Sequence, residues 1–242
     1  MIAESTKPDS ISLEKLVVLK PDLVVLGIGM GKQVAFADTI DNLDIQTIVI
    51  DNETLADYLK WVKVIANING KPELYDDALA NVLAPIQEIL LKVPAQNNPK
   101  ALMMQVNKKG TLVAYRSGTT AAGLMKDLKA INVGDVLSDE AYDKTKGVDK
   151  VTLSFEAVLQ DQPDLILLKH SSKNKDARGF VAKQFADNAV WNAYEAVKND
   201  AIYDLPPNFY HYKPMKNYKE AYEYMAKILY PEIFGEQSKT YE

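Results

Sequence analysis

The sequence predicts an α/β protein built as two similar halves, and three observations carry that expectation. First, a short pattern occurs twice: Ser12-Leu13-Glu14 precedes Pro21-Asp22-Leu23-Val24-Val25-Leu26, and Ser154-Phe155-Glu156 precedes Pro163-Asp164-Leu165-Ile166-Leu167-Leu168. The Pro follows the Glu by seven residues in both copies. Each suits a short helix that begins at its Ser, carries Glu in the first turn, and stops before a Pro that feeds a buried strand. Second, the apolar runs are strand-sized and separated by amphipathic helical stretches. Third, the turn-rich Pro94-Ala95-Gln96-Asn97-Asn98-Pro99 separates two such α/β series.

At 242 residues and 47% hydrophobic content the chain can supply the cores of two small domains. Acidic residues outnumber basic ones, 33 to 28, for a formal charge of -5, which opposes a nucleic-acid or anionic-membrane surface as the main business of the protein. With no Cys, thiolate metal sites, disulfides and Cys nucleophiles are excluded. Met1 to Pro8 has neither a basic start with an apolar run nor a cleavage-like segment, so no signal peptide is expected there. No apolar run approaches the ~20 residues that span a bilayer.

Taken in order, Ser12 to Leu19 predicts a short helix and Leu23 to Leu26 a parallel strand covered on both faces. Gly27-Ile28-Gly29-Met30-Gly31 follows, either a phosphate cradle or a tight strand-to-helix turn; it is not a complete GxGxxG or Walker pattern. Lys32 to Leu43 reads as helix and Thr47 to Ile50 as strand. Asp51 to Thr54 caps a long amphipathic helix ending at Asn69-Gly70, with Trp61 packed on it. Pro72 opens a second long helix to about Lys92, kinked or broken at Pro85. The expected organisation is an N-terminal lobe at 1–70, a connecting helix at 71–93 and a C-terminal lobe at 94–242.

In the second half, Ala101 to Val106 and Thr111 to Tyr115 form a hairpin across Asn107-Lys108-Lys109-Gly110. A helix over 121–130 follows Arg116-Ser117-Gly118-Thr119-Thr120, and Asp135 to Lys150 is irregular. After the second repeat, helices are expected over 178–187 and 190–198, a strand over 202–205, an aromatic-rich loop over 206–214, and a last helix from Asn217 to Leu229.

Several segments together resemble one family. They are Ser-Leu-Glu-x6-Pro-Asp-Leu-Val-Val from Ser12, the Gly118-Thr119-Thr120 helix start, Phe-Glu-x6-Pro-Asp-Leu-Ile-Leu from Phe155, the run Val190-Trp191-Asn192-Ala193 to Tyr203, and Ala226-Lys227-Ile228-Leu229-Tyr230-Pro231-Glu232. In order and spacing these are similar to the substrate-binding proteins of iron-siderophore, haem and cobalamin ABC importers. The resemblance implies two Rossmann-like lobes joined by a single long helix, a ligand between them, no catalysis, and a periplasmic or lipoprotein location. Members begin with a further strand and helix, so the N-lobe is expected to be incomplete. It also implies that Glu14 and Glu156 contact arginines of a permease dimer; each Glu equally complements its own helix dipole.

Ligand residues are expected on loops at the carboxyl ends of strands: Met30, Lys32, Arg116, His170, Tyr210, His211 and Tyr212. Arg116 offers a fixed fork of donors to an anionic cargo, or forms a surface ion pair. His170 and His211, the two histidines, could ligate iron with Tyr210, Tyr212 or Met30. The tyrosines serve equally as a stacking wall or as packing. No resident cofactor or metal is expected, the iron complex being cargo. The rival readings are a nucleotide- or flavin-dependent enzyme using the glycine loop, and a domain acting only in protein–protein contact.

Overall fold

Serine sets the start of both repeated helices. Ser12 caps α1 (Leu13–Leu19), its Oγ accepting the Lys15 amide at 3.3 Å. Ser154 caps the later helix over Phe155–Asp161, its Oγ accepting the Ala157 amide at 3.1 Å. Both helices end on a non-glycine residue at positive φ, Lys20 at 43° and Gln162 at 42°, and the following Pro prevents continuation. The computed structural model describes residues 11–28, 33–106, 112–137, 150–170 and 176–241. They divide into two compact units, 1–52 and 53–242.

In the first unit α1 leads to β1 (Leu23–Gly27), and β1 pairs in parallel with β2 (Gln46–Ile50). Between them the expected single helix starts as a 3-10 turn, Gln33–Phe36, and becomes α2 (Ala37–Asp41). Leu16, Val24, Leu26, Ile40 and Ile45 form the buried cluster. Apolar residues of β1 alternate in and out: Val24 and Leu26 are buried while Val25 is 46% exposed. The expectation of cover on both faces is therefore corrected. Among the described residues β1 has one strand neighbour and one covered face.

The second unit opens with α3 (Leu55–Ile68). Thr54 and Asp57 form a reciprocal capping box, and Gly70 at φ 65° follows the helix end. Pro72 precedes α4 (Glu73–Ala78). A π-helical turn, Leu79–Leu83, then runs into α5 (Ala84–Lys92), with Pro85 in its first turn. The expected break is thus a widened turn, which accommodates the donor that Pro85 lacks and the bulk of its ring. Val82, Ile86 and Ile89 share one core cluster with Ala101, Met103 and Leu167.

The sheet is mixed. β3 (Lys100–Val106) pairs antiparallel with β4 (Leu112–Tyr115), as the hairpin pattern predicts; the turn itself lies outside the described residues. After α6 (Thr120–Asp127) come β5 (Ile131–Asn132), α7 (Val133–Val136), β6 (Lys150–Thr152), α8 (Phe155–Asp161) and β7 (Leu165–Leu168). Then follow α9 (Ala177–Gln184), α10 (Ala189–Asn192), α11 (Glu195–Lys198), β8 (Ile202–Asp204), α12 (Pro207–Tyr210), α13 (Tyr218–Leu229) and α14 (Pro231–Phe234). Strand order is β6-β4-β3-β7-β8, with β5 also on β3; β3, β7 and β8 are parallel.

Two hydrophobic clusters cover its two faces. Met103, Tyr115 and Leu167 belong to the face under α3, α5 and α13; Leu102, Met104, Ile166 and Leu168 belong to the face under α8 to α11. The helix expected over 190–198 is two helices. Tyr194 between them takes an extended conformation, and its hydroxyl donates to the Phe155 carbonyl at 2.8 Å, inside an aromatic group with Trp191 and Phe185. The loop over 206–214 likewise contains the short helix α12. No helix among the described residues is long and apolar enough to cross a membrane.

Candidate functional site

Parallel strands place their carboxyl ends together, and here two exits run side by side. β7 leads into Lys169 and His170, and β8 leads through Asp204 into the Pro206-Pro207 turn. The Lys169 amide donates to Met104 at 2.9 Å and the Leu205 amide to Leu168 at 3.0 Å, which keeps both exits in register beyond the strands. His170 is only 4% exposed. Its ring stacks on Tyr241 at 5.5 Å and 20°, with Nε2 3.3 Å from the Tyr241 hydroxyl. Tyr241 is held there because the Asp204 amide donates to the Lys239 carbonyl at 2.9 Å and Lys239 pairs with Asp200 at 2.9 Å.

Asp204 is buried beside this pair, and Oδ1 has no hydrogen-bond partner among the described residues. Burial raises its carboxyl above the usual range; the charge of His170 and the Arg178 amide oppose that shift. Tyr224 is pushed up to about 12, first by burial, then by Asp204 and Tyr241. His211 reaches solvent edge-on to Tyr212, with ring centres 4.9 Å apart. Its pKa is lowered by packing around the ring, then by Lys169, His170 and Lys150, all of which disfavour a further positive charge.

The predicted residues are distributed unevenly. His170, His211 and Tyr212 gather around the β7 and β8 exits. Tyr210 is 1% exposed and donates to the Ala221 carbonyl at 2.7 Å, so of its two readings it takes packing under the loop. Tyr218, Tyr222 and Tyr230 are buried in the same way. Arg116 is no surface ion pair: it is 8% exposed, with Nε 3.8 Å from Asp135. Because β4 is antiparallel to β3, Arg116 leaves the sheet in the opposite sense to Lys169. Met30 and Lys32 lie outside the described residues. Glu14 and Glu156 are both exposed in the first turns of α1 and α8.

The sequence reading missed Tyr115, Lys150, Lys169, Asp204 and Tyr241. It also missed a polar junction at the start of α6. The Glu53 carboxylate accepts the Thr120 amide at 3.2 Å and the Thr120 hydroxyl at 2.7 Å, and it pairs with Lys213. A negative group at a helix start complements the dipole, and Lys213 completes the charge balance beside the aromatic loop. Only Lys169 had a signal within reach, its position directly after a repeated strand.

A mixed α/β sheet flanked by helices, with its polar groups gathered where parallel strands end, defines a small-molecule-binding class of fold rather than a particular chemistry. Among solved structures, an ABC transporter substrate-binding protein from Listeria monocytogenes EGD-e matches with a TM-score of 0.75 at 20% identity, over 92% of this chain and 82% of that one. Staphylococcus aureus IsdE complexed with heme matches with a TM-score of 0.71 at 19% identity, again over 92% and 82%. The periplasmic vitamin B12 binding protein BtuF of Vibrio cholerae gives 0.68 at 18%, over 95% and 81%. The periplasmic binding protein family model matches residues 2–209, and the chain belongs to that family.

By sequence, the uncharacterized ABC transporter substrate-binding lipoprotein YvrC of Bacillus subtilis (strain 168) is 22% identical over 233 residues, 94% of this chain and 68% of that protein. The high-affinity heme uptake system protein IsdE of S. aureus (strain MRSA252) is 24% identical over 157 residues. That match takes in 57% of this chain and 53% of IsdE, about half the relative's length.

Proposed function

We propose that this protein is the substrate-binding component of an ABC importer, that its cargo is an iron complex, a ferric siderophore or haem, and that it delivers that cargo to a permease dimer. Binding alone suffices, and no step calls for chemistry by the protein. The observation that carries the reading is His170, buried at the exit of β7 and bordered by Lys169, His211 and Tyr212. Imidazole and phenol are suited to iron, and a rim of aromatic rings suits a planar or aromatic chelate. Family membership supports the transport role, and the descriptions of YvrC and IsdE support an extracytoplasmic or lipoprotein setting.

Glu14 and Glu156 are the proposed handles for the permease, since each stands exposed on a helix start of the same local design. The test combines two measurements. Ferric siderophores and haem, titrated into the purified protein, should quench tryptophan fluorescence saturably, and His170→Ala should weaken the complex by about tenfold or more. Glu14→Ala and Glu156→Ala should lower uptake through the cognate permease while leaving that affinity unchanged. Saturable quenching by none of these complexes would remove the iron reading. Loss of affinity in the Glu variants would remove the division between handles and cargo site.

A further inference from the structure

Alternate residues along neighbouring strands project to one face of a sheet, so a cross-strand row can assemble groups far apart in sequence. One such row crosses β6, β4, β3 and the exit of β7. Lys150 lies opposite Tyr115 in the β6–β4 register. The Tyr115 hydroxyl donates to Gln105 Oε1 at 2.7 Å. Lys169 follows β7 on the same face, anchored to Met104 by its amide. Both ammonium groups converge on one ring: Lys169 Nζ is 4.1 Å and Lys150 Nζ 5.5 Å from the Tyr115 centroid. Tyr115 itself is 3% exposed, so its ring is a fixed platform.

Two like charges over one aromatic face repel each other, and the ring quadrupole offsets only part of that cost, about 0.5–2 kcal/mol per cation. An oxyanion held by both ammonium groups offsets the rest. We propose that Lys150 and Lys169, gathered over Tyr115, form an anion-binding subsite that takes carboxylate or catecholate oxygens of a negatively charged metal chelate. This rests on the transport reading for the word chelate; the anion subsite itself rests only on the row. His211 reports on the same field, since Lys169 and Lys150 depress its pKa together with packing and His170. Tyr212 is the remaining ring against it.

The experiment uses the full chain with labelled histidine and follows the His211 ring by NMR across pH, with citrate as the probe. Citrate should raise the His211 midpoint in the wild type, and added salt should reverse the rise. In Lys150→Gln/Lys169→Gln the midpoint should already be higher without citrate, and citrate should no longer move it; Lys169→Arg should retain the response. A citrate response absent from the wild type, or equal in the double variant, overturns the subsite. In a parallel arm, ferric citrate, a ferric tris-catecholate, haem and a neutral ferric trihydroxamate are titrated. The double variant should lose about tenfold or more for whichever anionic complex binds, and nothing for the neutral one. An unchanged affinity for the anionic complex overturns the inference while leaving iron transport standing. Binding of no iron complex alongside an intact citrate response keeps the subsite and removes the iron reading.

Discussion

The two copies of the repeat have the same local design and different fates. Both helices begin at a Ser cap, place Glu in the first turn and end on a left-handed non-glycine residue before Pro. Yet the second strand, Leu165–Leu168, is at most 7% exposed at any residue, while Val25 of the first is 46% exposed and Val18 of its helix 81%. The difference lies in the strand neighbours. β7 runs between β3 and β8, whereas β1, among the described residues, pairs only with β2. Caps and turns are settled by a few adjacent residues; burial is settled by how many strands and helices arrive from elsewhere.

The largest expected effect follows from that contrast. Leu167→Ala removes a fully buried side chain from the middle of the sheet and should cost about 2–5 kcal/mol. Val25→Ala, at the equivalent place in the first copy, should cost within about 0.5 kcal/mol. Denaturant unfolding read by the buried Trp191 for β7, and amide exchange of Val24 and Leu26 for β1, would measure the two. Comparable losses would mean that β1 is covered in solution as completely as β7.

That division also explains what the sequence disclosed. Ser12, Ser154, the Thr54–Asp57 box, Gly70 and the hairpin were legible because their causes lie within four or five residues. The split of the 190–198 helix was not, because Tyr194 is drawn out of helical conformation by a carbonyl 39 residues away. The site was legible where it followed a strand, as at His170, and illegible where partners met across the fold. Lys150 and Tyr115 become neighbours only through the β6–β4 register, Glu53 and Lys213 only through tertiary packing, and Tyr241 over His170 only because β8 holds residue 239.

A second, smaller effect tests what the deeper burial around β7 and β8 does to charge. Asp204 has a folded-state pKa above its ordinary 3.8 because burial disfavours the carboxylate. The folded state therefore holds its proton more tightly than the unfolded chain. Its contribution is fully present below about pH 3.8 and is lost as pH rises through the raised value. Asp204→Asn should thus be more stable than the wild type at neutral pH, and the two should converge in acid. Stability measured from pH 3 to 8 would check this. A variant less stable at neutral pH would show that attraction to His170 outweighs burial.

The smallest effect separates the two helix ends, which look alike. A non-glycine residue at φ near 43° costs up to about 1 kcal/mol relative to glycine. Lys20→Gly should relieve that cost and stabilise by a few tenths to about 1 kcal/mol. Gln162→Gly relieves the same strain but also removes the Gln162 Oε1 acceptor of the Glu195 amide, 3.1 Å away, a bond worth roughly 0.5–1.5 kcal/mol. The first substitution should raise the denaturant midpoint and the second leave it flat or lower it. Equal gains would show that the second copy ends its helix for local reasons alone; unequal gains would show that Gln162 also tethers the start of α11 to the repeated helix, which the first copy has no counterpart for among the described hydrogen bonds.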